Sequence, residues 1–266
     1  ERLRSRQTNG LRAVWGLSMV SPSSHQPMSP SESTVAGNLN ALLTQINEKS
    51  SACGRDPPRL VAVSKFQASS AIMEAYQAGH RSFGENYVQE IVQKAGELPE
   101  DIQWHFIGML QSNKAKTLVA GVKSLHCVES VHSTKTATAL QKACISAGRD
   151  KPLDVMIQVL TSGEDSKSGC EPDSCTEIAS HILDCCPNLR LCGLMTIGKF
   201  GDPNPKPYFD ILKQCRSKVA QKVGVEEKEL ELSMGMSGDF GIAIEAGSSS
   251  VRVGTSIFGA RPKPKP

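Results

Sequence analysis

The sequence predicts an α/β fold, a single (β/α)8 TIM-like barrel, and three observations carry the prediction. Eight short apolar runs recur along the chain, and each of the first seven is followed by a stretch with helical periodicity. The runs are largely apolar on both faces, as strands of a parallel sheet covered by helices must be. Eight such units within roughly 230 residues suit a barrel of this kind. An open doubly wound sheet is the alternative. It needs a glycine-rich turn after the first strand, and "VSKFQASS" has no glycine.

A helix opens at Thr34, where Val35, Leu39, Leu42, Leu43 and Ile46 share one face, and "RDPP" breaks it. "RLVAVS" follows as the first strand. Ser69 is placed to cap the helix "SAIMEAYQAG", which Gly79 stops. "RSFGEN" is the second strand and "YVQEIVQKAG" the next helix. Then "WHFIG" pairs with the helix "SNKAKTLVAG", and "SLHCVES" with "HSTKTATALQKACISAG". "LDVMIQVL" precedes "DSCTEIASHILDCC", and "LRLCGLMTI" precedes "KPYFDILKQCRSKVAQKVG". "LELSMG" leads to "GDFGIAIEAG". "SVRVGTSIFG" closes the series without a helix of its own, a gap the helix from Thr34 can fill.

Hydrophobic residues make up 39% and charged residues 21%, the balance of a soluble globular protein, and a net charge of +3 gives no electrostatic case for nucleic acid. No apolar stretch has the length to cross a bilayer, so no membrane partner is expected. Nine cysteines, an odd number at irregular spacing, read as reduced thiols. The pair in "CEPDSC" (Cys170, Cys175) is spaced too widely for a zinc knuckle, and no metal ligand is assigned. Residues 1–33 begin Arg-rich and acid-poor, then turn Ser/Pro-rich. They are expected to be a disordered leader, with a targeting segment as the alternative, so the expected compartment is the cytoplasm, or the mitochondrion if the leader is a transit peptide. Residues 34–261 form the barrel, and 262–266 a disordered basic tail.

Barrels of this kind place their chemistry at the C-terminal ends of the strands. That selects Ser64 and Lys65 after strand one, Glu85 and Asn86 after strand two, Gly108, Glu129 and Thr196 after strands three, four and six, and Arg252, Gly254 and Thr255 after strand eight. The loops after strands seven and eight are where barrels frequently hold a phosphate. There Ser237 and Thr255 supply hydroxyls, and Gly254 permits close backbone approach. An amine across from such a phosphate can form a Schiff base with a phosphorylated carbonyl compound, activated by desolvation and a neighbouring cation, for which Arg252 is the candidate. The bland alternative for Lys65 is a snorkelling surface lysine. Lys167, in "TSGEDSKSG", is the competing amine and reads as solvated or ion-paired.

The blocks "AVSK", "FGENYVQE", "WHFIGMLQSNK", "GLMTIG", "LSMGMSGDF" and "AIEAGSSSVRVGTSIFG", in that order, closely resemble the pyridoxal phosphate homeostasis proteins, single-domain relatives of the alanine racemase barrel. The likeness runs from about Arg59 to Arg261. It implies pyridoxal 5′-phosphate fold type III without the C-terminal β domain, with the cofactor held covalently on Lys65 as a Schiff base. It also implies that Ser237, Gly254 and Thr255 hold the phosphate, that Asn86 lies beside the ring and that Arg252 faces the pyridine nitrogen. His105 and Met234 are further candidates for the pocket lining. One departure is visible: family members usually follow the lysine with Thr-Lys-Pro, where this chain has Phe66, Gln67 and Ala68.

The resemblance implies vitamin B6 homeostasis with little or no catalysis, and no catalytic residue is assigned. An arginine at the pyridine nitrogen disfavours protonation there and weakens the ring as an electron sink. The related racemases take a tyrosine from a further β domain, for which no residues follow strand eight. Tyr76, Tyr87 and Tyr208 are expected on outer helices. A slow amino-acid racemase or related enzyme is the alternative, and an aldolase-like barrel acting on a sugar phosphate a third reading. The expected partners are pyridoxal phosphate and apo forms of enzymes that use it, and the chain is expected to be a monomer or a homodimer.

Overall fold

The structure is a computed structural model and describes residues 34–164, 168–199 and 201–260. The expectations for the leader, Lys167 and the basic tail concern residues outside these ranges.

Eight parallel strands hydrogen-bond in sequence order and close into a barrel. They are β1 (Arg59–Val63), β2 (Ser82–Glu85), β3 (Gln103–Phe106), β4 (Leu125–Val131), β5 (Leu153–Gln158), β6 (Leu189–Met195), β7 (Glu231–Ser233) and β8 (Ser250–Val253). The helices are α1 (Val35–Ala52), α2 (Ser69–Gln77), α3 (Val88–Glu97), α4 (Ala115–Gly121), α5 (Thr134–Ser146), α6 (Cys175–Cys185), α7 (Lys206–Val223), α8 (Phe240–Glu245) and α9 (Thr255–Phe258). Closure runs through β1 and β8, with Arg59 opposite Ser250 and Ala62 opposite Val253. That register brings the end of the last strand beside the end of the first.

Side chains alternate across each strand, so the apolar runs serve two compartments. Most of the core lies between strands and helices, where Phe83, Trp104 and Phe106 are fully buried with Leu39, Ile72, Ile91 and Leu118. A large apolar side chain buried in this way contributes about 1.5–3 kcal/mol. The second, smaller cluster is Cys127, Met156 and Met195, with Cys192 and Ile197 packed against it.

Local chemistry sets the element ends. The Thr34 hydroxyl accepts from Gly37 N–H at 3.0 Å and caps α1, and α7 stops at Gly224, whose φ of +74° is left-handed. Three details differ from expectation. Ser69 is the first residue of α2 rather than its cap, because its hydroxyl donates to Glu97 Oε2 at 2.6 Å instead. The last strand does carry a helix, the four-residue α9, and α1 packs against α9, α8 and α2 to cover the remaining gap. Tyr87 precedes α3 in extended conformation instead of lying in it. Among the described residues no helix is long and apolar enough to cross a membrane.

Candidate functional site

The C-terminal mouth of the barrel is built first around the turn that carries Lys65. β1 stops at Val63, although Ser64 N–H still donates to Gly84 O at 3.0 Å. The chain then turns: Gln67 N–H returns to Ser64 O at 3.0 Å, which places Lys65 and Phe66 at the centre of a four-residue turn. Lys65 therefore sits two residues beyond the strand, half-buried, rather than on it. Phe66 has φ +62°, a left-handed conformation that a bulky side chain rarely adopts, and among the described non-glycine residues it alone has a positive φ. Its ring lies 5.1 Å from that of Tyr87.

A buried polar cluster holds this turn in place. Lys94 Nζ, from α3, donates to Ser64 O at 2.8 Å and to Glu85 Oε1 and Glu90 Oε1 at 2.7 Å each. The Ser64 hydroxyl also donates to Glu85 Oε1 at 2.7 Å, and Phe66 N–H to Glu90 Oε1 at 2.6 Å. Burial pushes the Glu85 carboxyl above its ordinary value, against the opposing pull of Lys94 and Ser64. The sequence reading overlooked Lys94 and Glu90. Their only signal is an i,i+4 acid–base spacing, which is ordinary on a helix.

Asn86 follows β2. Its Oδ1 is buried without a hydrogen-bond partner, and it lines a cavity of about 480 Å³ together with Tyr87, Phe106, Gly108, Met109 and Lys114. Gly108 has to be glycine: a Cβ there would lie 2.0 Å from Asn86 O. Tyr87, nearly half exposed, stands at this mouth rather than on an outer helix. Tyr208 lies in the first turn of α7, against Gly198 in the loop after β6, and its hydroxyl donates to Asp202 at 2.6 Å.

On the far side of β1, Gly254 ends β8. A Cβ on it would stand 3.0 Å from Val63 O, so glycine brings this loop against the end of β1, two residues before Lys65. Thr255 opens α9 and is exposed. Ser237 is half-buried in the turn before α8, where Met236 N–H donates to Asp239 Oδ1 at 2.5 Å. Burial raises the Asp239 carboxyl above its ordinary value, with the Met236 N–H and the Arg252 charge acting the other way.

Arg252 is buried inside the barrel, and its guanidinium donates to Ser233 Oγ at 2.6 Å and Thr196 O at 2.7 Å. Ser233 Oγ donates to Glu129 Oε2 at 2.6 Å, and Glu129 Oε1 lies 2.7 Å from His105 Nδ1. Four strands thus contribute to one buried relay. Burial lowers Arg252 from its ordinary value, with Glu129 opposing. For Glu129, burial pushes upward, but the hydrogen bond and charge of His105, with Arg252 and Ser233, outweigh it and hold the carboxyl below its ordinary range. The cation set against the Lys65 turn is Lys94, whereas the Arg252 guanidinium is engaged with Ser233 and Thr196. His105 and Met234 are both fully buried.

A lysine turn, a glycine and hydroxyl loop beside it, and a buried arginine now stand at one barrel mouth. The family profile described as "Alanine racemase, N-terminal domain" matches residues 37–262. A protein named "Pyridoxal phosphate homeostasis protein" in Schizosaccharomyces pombe is 45% identical over 237 residues, covering 88% of this chain and 96% of its own. This chain belongs to the pyridoxal phosphate homeostasis protein family. The Mus musculus protein of that name is 46% identical over 213 residues, 77% of each chain. Among solved structures, PipY of Synechococcus elongatus PCC7942 with pyridoxal phosphate bound aligns at a TM-score of 0.69 and 32% identity, covering 85% of this chain and 100% of PipY.

Proposed function

We propose that this chain binds pyridoxal 5′-phosphate reversibly at the C-terminal mouth of the barrel, as a Schiff base on Lys65, and serves vitamin B6 homeostasis with little or no catalysis. When bound, the cofactor supplies an aldehyde that reacts with amines. Each protein group then has a task. The Lys94 cluster fixes the carbonyl of Ser64, and so aims the amine that follows it. Gly254 allows the backbone after β8 to approach closely, and Ser237 and Thr255 offer hydroxyls for the phosphate. Arg252, held rigidly by Ser233 and Thr196, presents a cation toward the pyridine nitrogen and disfavours its protonation.

The residues fit this ligand on their own terms. The Asn86 amide oxygen is buried without a hydrogen-bond partner, as a side chain waiting for a neighbour is. The observation that carries the reading is the juxtaposition of the Lys65 turn with Gly254 across the β1–β8 seam. Support also comes from the relatives' names and from the bound cofactor in PipY.

Tyr87, whose ring lies 5.1 Å from that of Phe66 next to Lys65, favours one second reading, slow racemisation, because it sets a phenol beside the lysine turn. Incubation of the purified chain with a panel of amino acids, and separately with an apo-enzyme that needs the cofactor, tests both. The homeostasis reading predicts activation of the apo-enzyme and negligible turnover. Turnover that is lost in Tyr87→Phe would replace it with the racemase reading.

A further inference from the structure

The interior of the barrel is polar where the fold does not require it. Barrels of this kind are usually filled by layers of branched apolar side chains. Here Arg252 from β8, Ser233 from β7, Glu129 from β4 and His105 from β3 are all buried and linked in one line. Stability does not explain such a set, because well-packed apolar side chains in place of a buried ionic group are often neutral or better.

Arg252 reaches its counter-charge indirectly. Among the described residues no carboxylate pairs with it: Nη1 donates to Ser233 Oγ at 2.6 Å and Nη2 to Thr196 O at 2.7 Å. The Glu129 carboxylate stands one hydroxyl further away. One of its oxygens accepts from Ser233 at 2.6 Å, and the other lies 2.7 Å from His105 Nδ1. A carboxylate set face to face with the guanidinium would occupy its fork with two parallel bonds. The interposed serine uses one N–H for the counter-charge and leaves the remaining donors to other acceptors. A hydroxyl that donates to a carboxylate is also a stronger acceptor, which tightens its hold on Arg252.

We propose that Glu129 is a positioning residue for the cofactor site: acting through Ser233, it fixes the Arg252 guanidinium, partly cancels its charge, and so sets how strongly that cation opposes protons on the bound cofactor. This rests on the reading that pyridoxal phosphate sits on Lys65 with its pyridine nitrogen toward Arg252. Arginine keeps its proton throughout, so only its surroundings can tune its charge. Burial pushes the Glu129 carboxyl up, but His105, Arg252 and Ser233 outweigh this and keep it ionised. An ionised carboxylate only accepts, so His105 donates from Nδ1. Its Nε2, buried without a partner, is then a bare acceptor rather than a stranded N–H. Asp239 is the rival counter-charge. It acts on Arg252 without touching it, and its carboxyl is raised by burial and engaged by Met236 N–H. The other titratable groups beside the line are His126, its ring 5.2 Å from that of His105, and Cys127, and neither hydrogen-bonds to Arg252 or Ser233.

Glu129→Gln keeps the shape and can still accept from Ser233, but it removes the charge. The readout is a pH titration of the visible absorption of the cofactor-loaded full chain, in which the yellow, protonated Schiff base gives way to its unprotonated form. With Arg252 unopposed, a further positive charge is disfavoured, and the transition is expected at a pH lower by on the order of one unit. Asp239→Asn is expected to move it less. A purely structural role leaves the transition in place, because glutamine makes the same bonds. A second measurement needs neither variant nor cofactor: nitrogen NMR of the cofactor-free wild type is expected to find the His105 proton on Nδ1. A proton on Nε2 alone would mean that Glu129 is itself protonated, and overturns the proposal even if Glu129→Gln fails to fold. An unshifted transition in loaded Glu129→Gln, or a larger shift in Asp239→Asn, also overturns it. A wild type that forms no Schiff base overturns the underlying reading and the proposal with it, whereas a formed but unshifted one overturns the proposal alone.

Discussion

Lys94 Nζ lies 2.8 Å from the carbonyl oxygen of Ser64, so α3, from outside the barrel, fixes the residue immediately before Lys65. The ammonium is buried between Glu85 and Glu90, and its side chain is only 6% exposed. Breaking such a cluster leaves a charge without a partner, which costs about 3–5 kcal/mol, whereas replacing the whole set is far milder. Lys94→Met is therefore predicted to lower stability by about that amount in urea unfolding. The double variant Lys94→Met/Glu85→Leu is predicted to recover much of it. A single variant as stable as wild type contradicts the cluster's role.

Phe66 tests the turn itself. A β-branched residue is the poorest fit to a left-handed backbone, and glycine the best. Phe66→Gly trades the Tyr87 contact for relief of strain and is predicted to be nearly neutral. Phe66→Val is predicted to be at least about 1 kcal/mol less stable than Phe66→Gly. Thermal unfolding of the two side by side decides it, and equal stability contradicts the conformation at residue 66.

Glu85 supplies a pH dependence with a defined sign. Burial raises its carboxyl above the ordinary value, with Lys94 and Ser64 opposing and Glu90 adding to the rise. The folded chain therefore holds this proton more tightly than the unfolded one. Its contribution to stability is complete below the ordinary carboxylate value and is lost as pH rises through the raised folded value. Across that mildly acidic window the urea midpoint of the wild type is predicted to fall relative to Glu85→Gln, then run parallel above it. Parallel curves throughout contradict the assignment.

Two glycines give opposite predictions. Gly108→Ala forces a Cβ toward Asn86 O and is predicted to displace Asn86, at a cost above about 2 kcal/mol from overpacking. Gly96 lies in α3 with open space around its Cβ position, so Gly96→Ala is predicted to stabilise by about 0.5–1 kcal/mol. Chemical denaturation of both variants checks the contrast.

The barrel was legible because strands covered on both faces read as near-continuous apolar runs, as "LDVMIQVL" and "LRLCGLMTI" do. The strand-end rule then selected Lys65, Asn86 and Gly254 without a contact being known. Support for these residues was less visible. Lys94 gathers oxygens from β2, α3 and the Lys65 turn, a convergence that exists only once the chain is folded. The relay from Arg252 through Ser233 and Glu129 to His105 crosses four strands, so no local spacing signals it. Phe66 gives no sign of its left-handed backbone, because the turn signals are glycine, asparagine and aspartate. Tyr87 was misplaced by a single residue at a helix end, where boundaries are least defined.

The central claim is that Lys65 is the residue that holds pyridoxal phosphate. The most direct measurement is an absorption spectrum of the purified chain with the cofactor added, followed by borohydride reduction and peptide mass mapping. The account predicts a yellow protein that bleaches on reduction, with the pyridoxyl adduct on the peptide containing Lys65, and no stable adduct in Lys65→Ala. An unmodified Lys65 in a protein saturated with cofactor, or an adduct on another lysine, would contradict it.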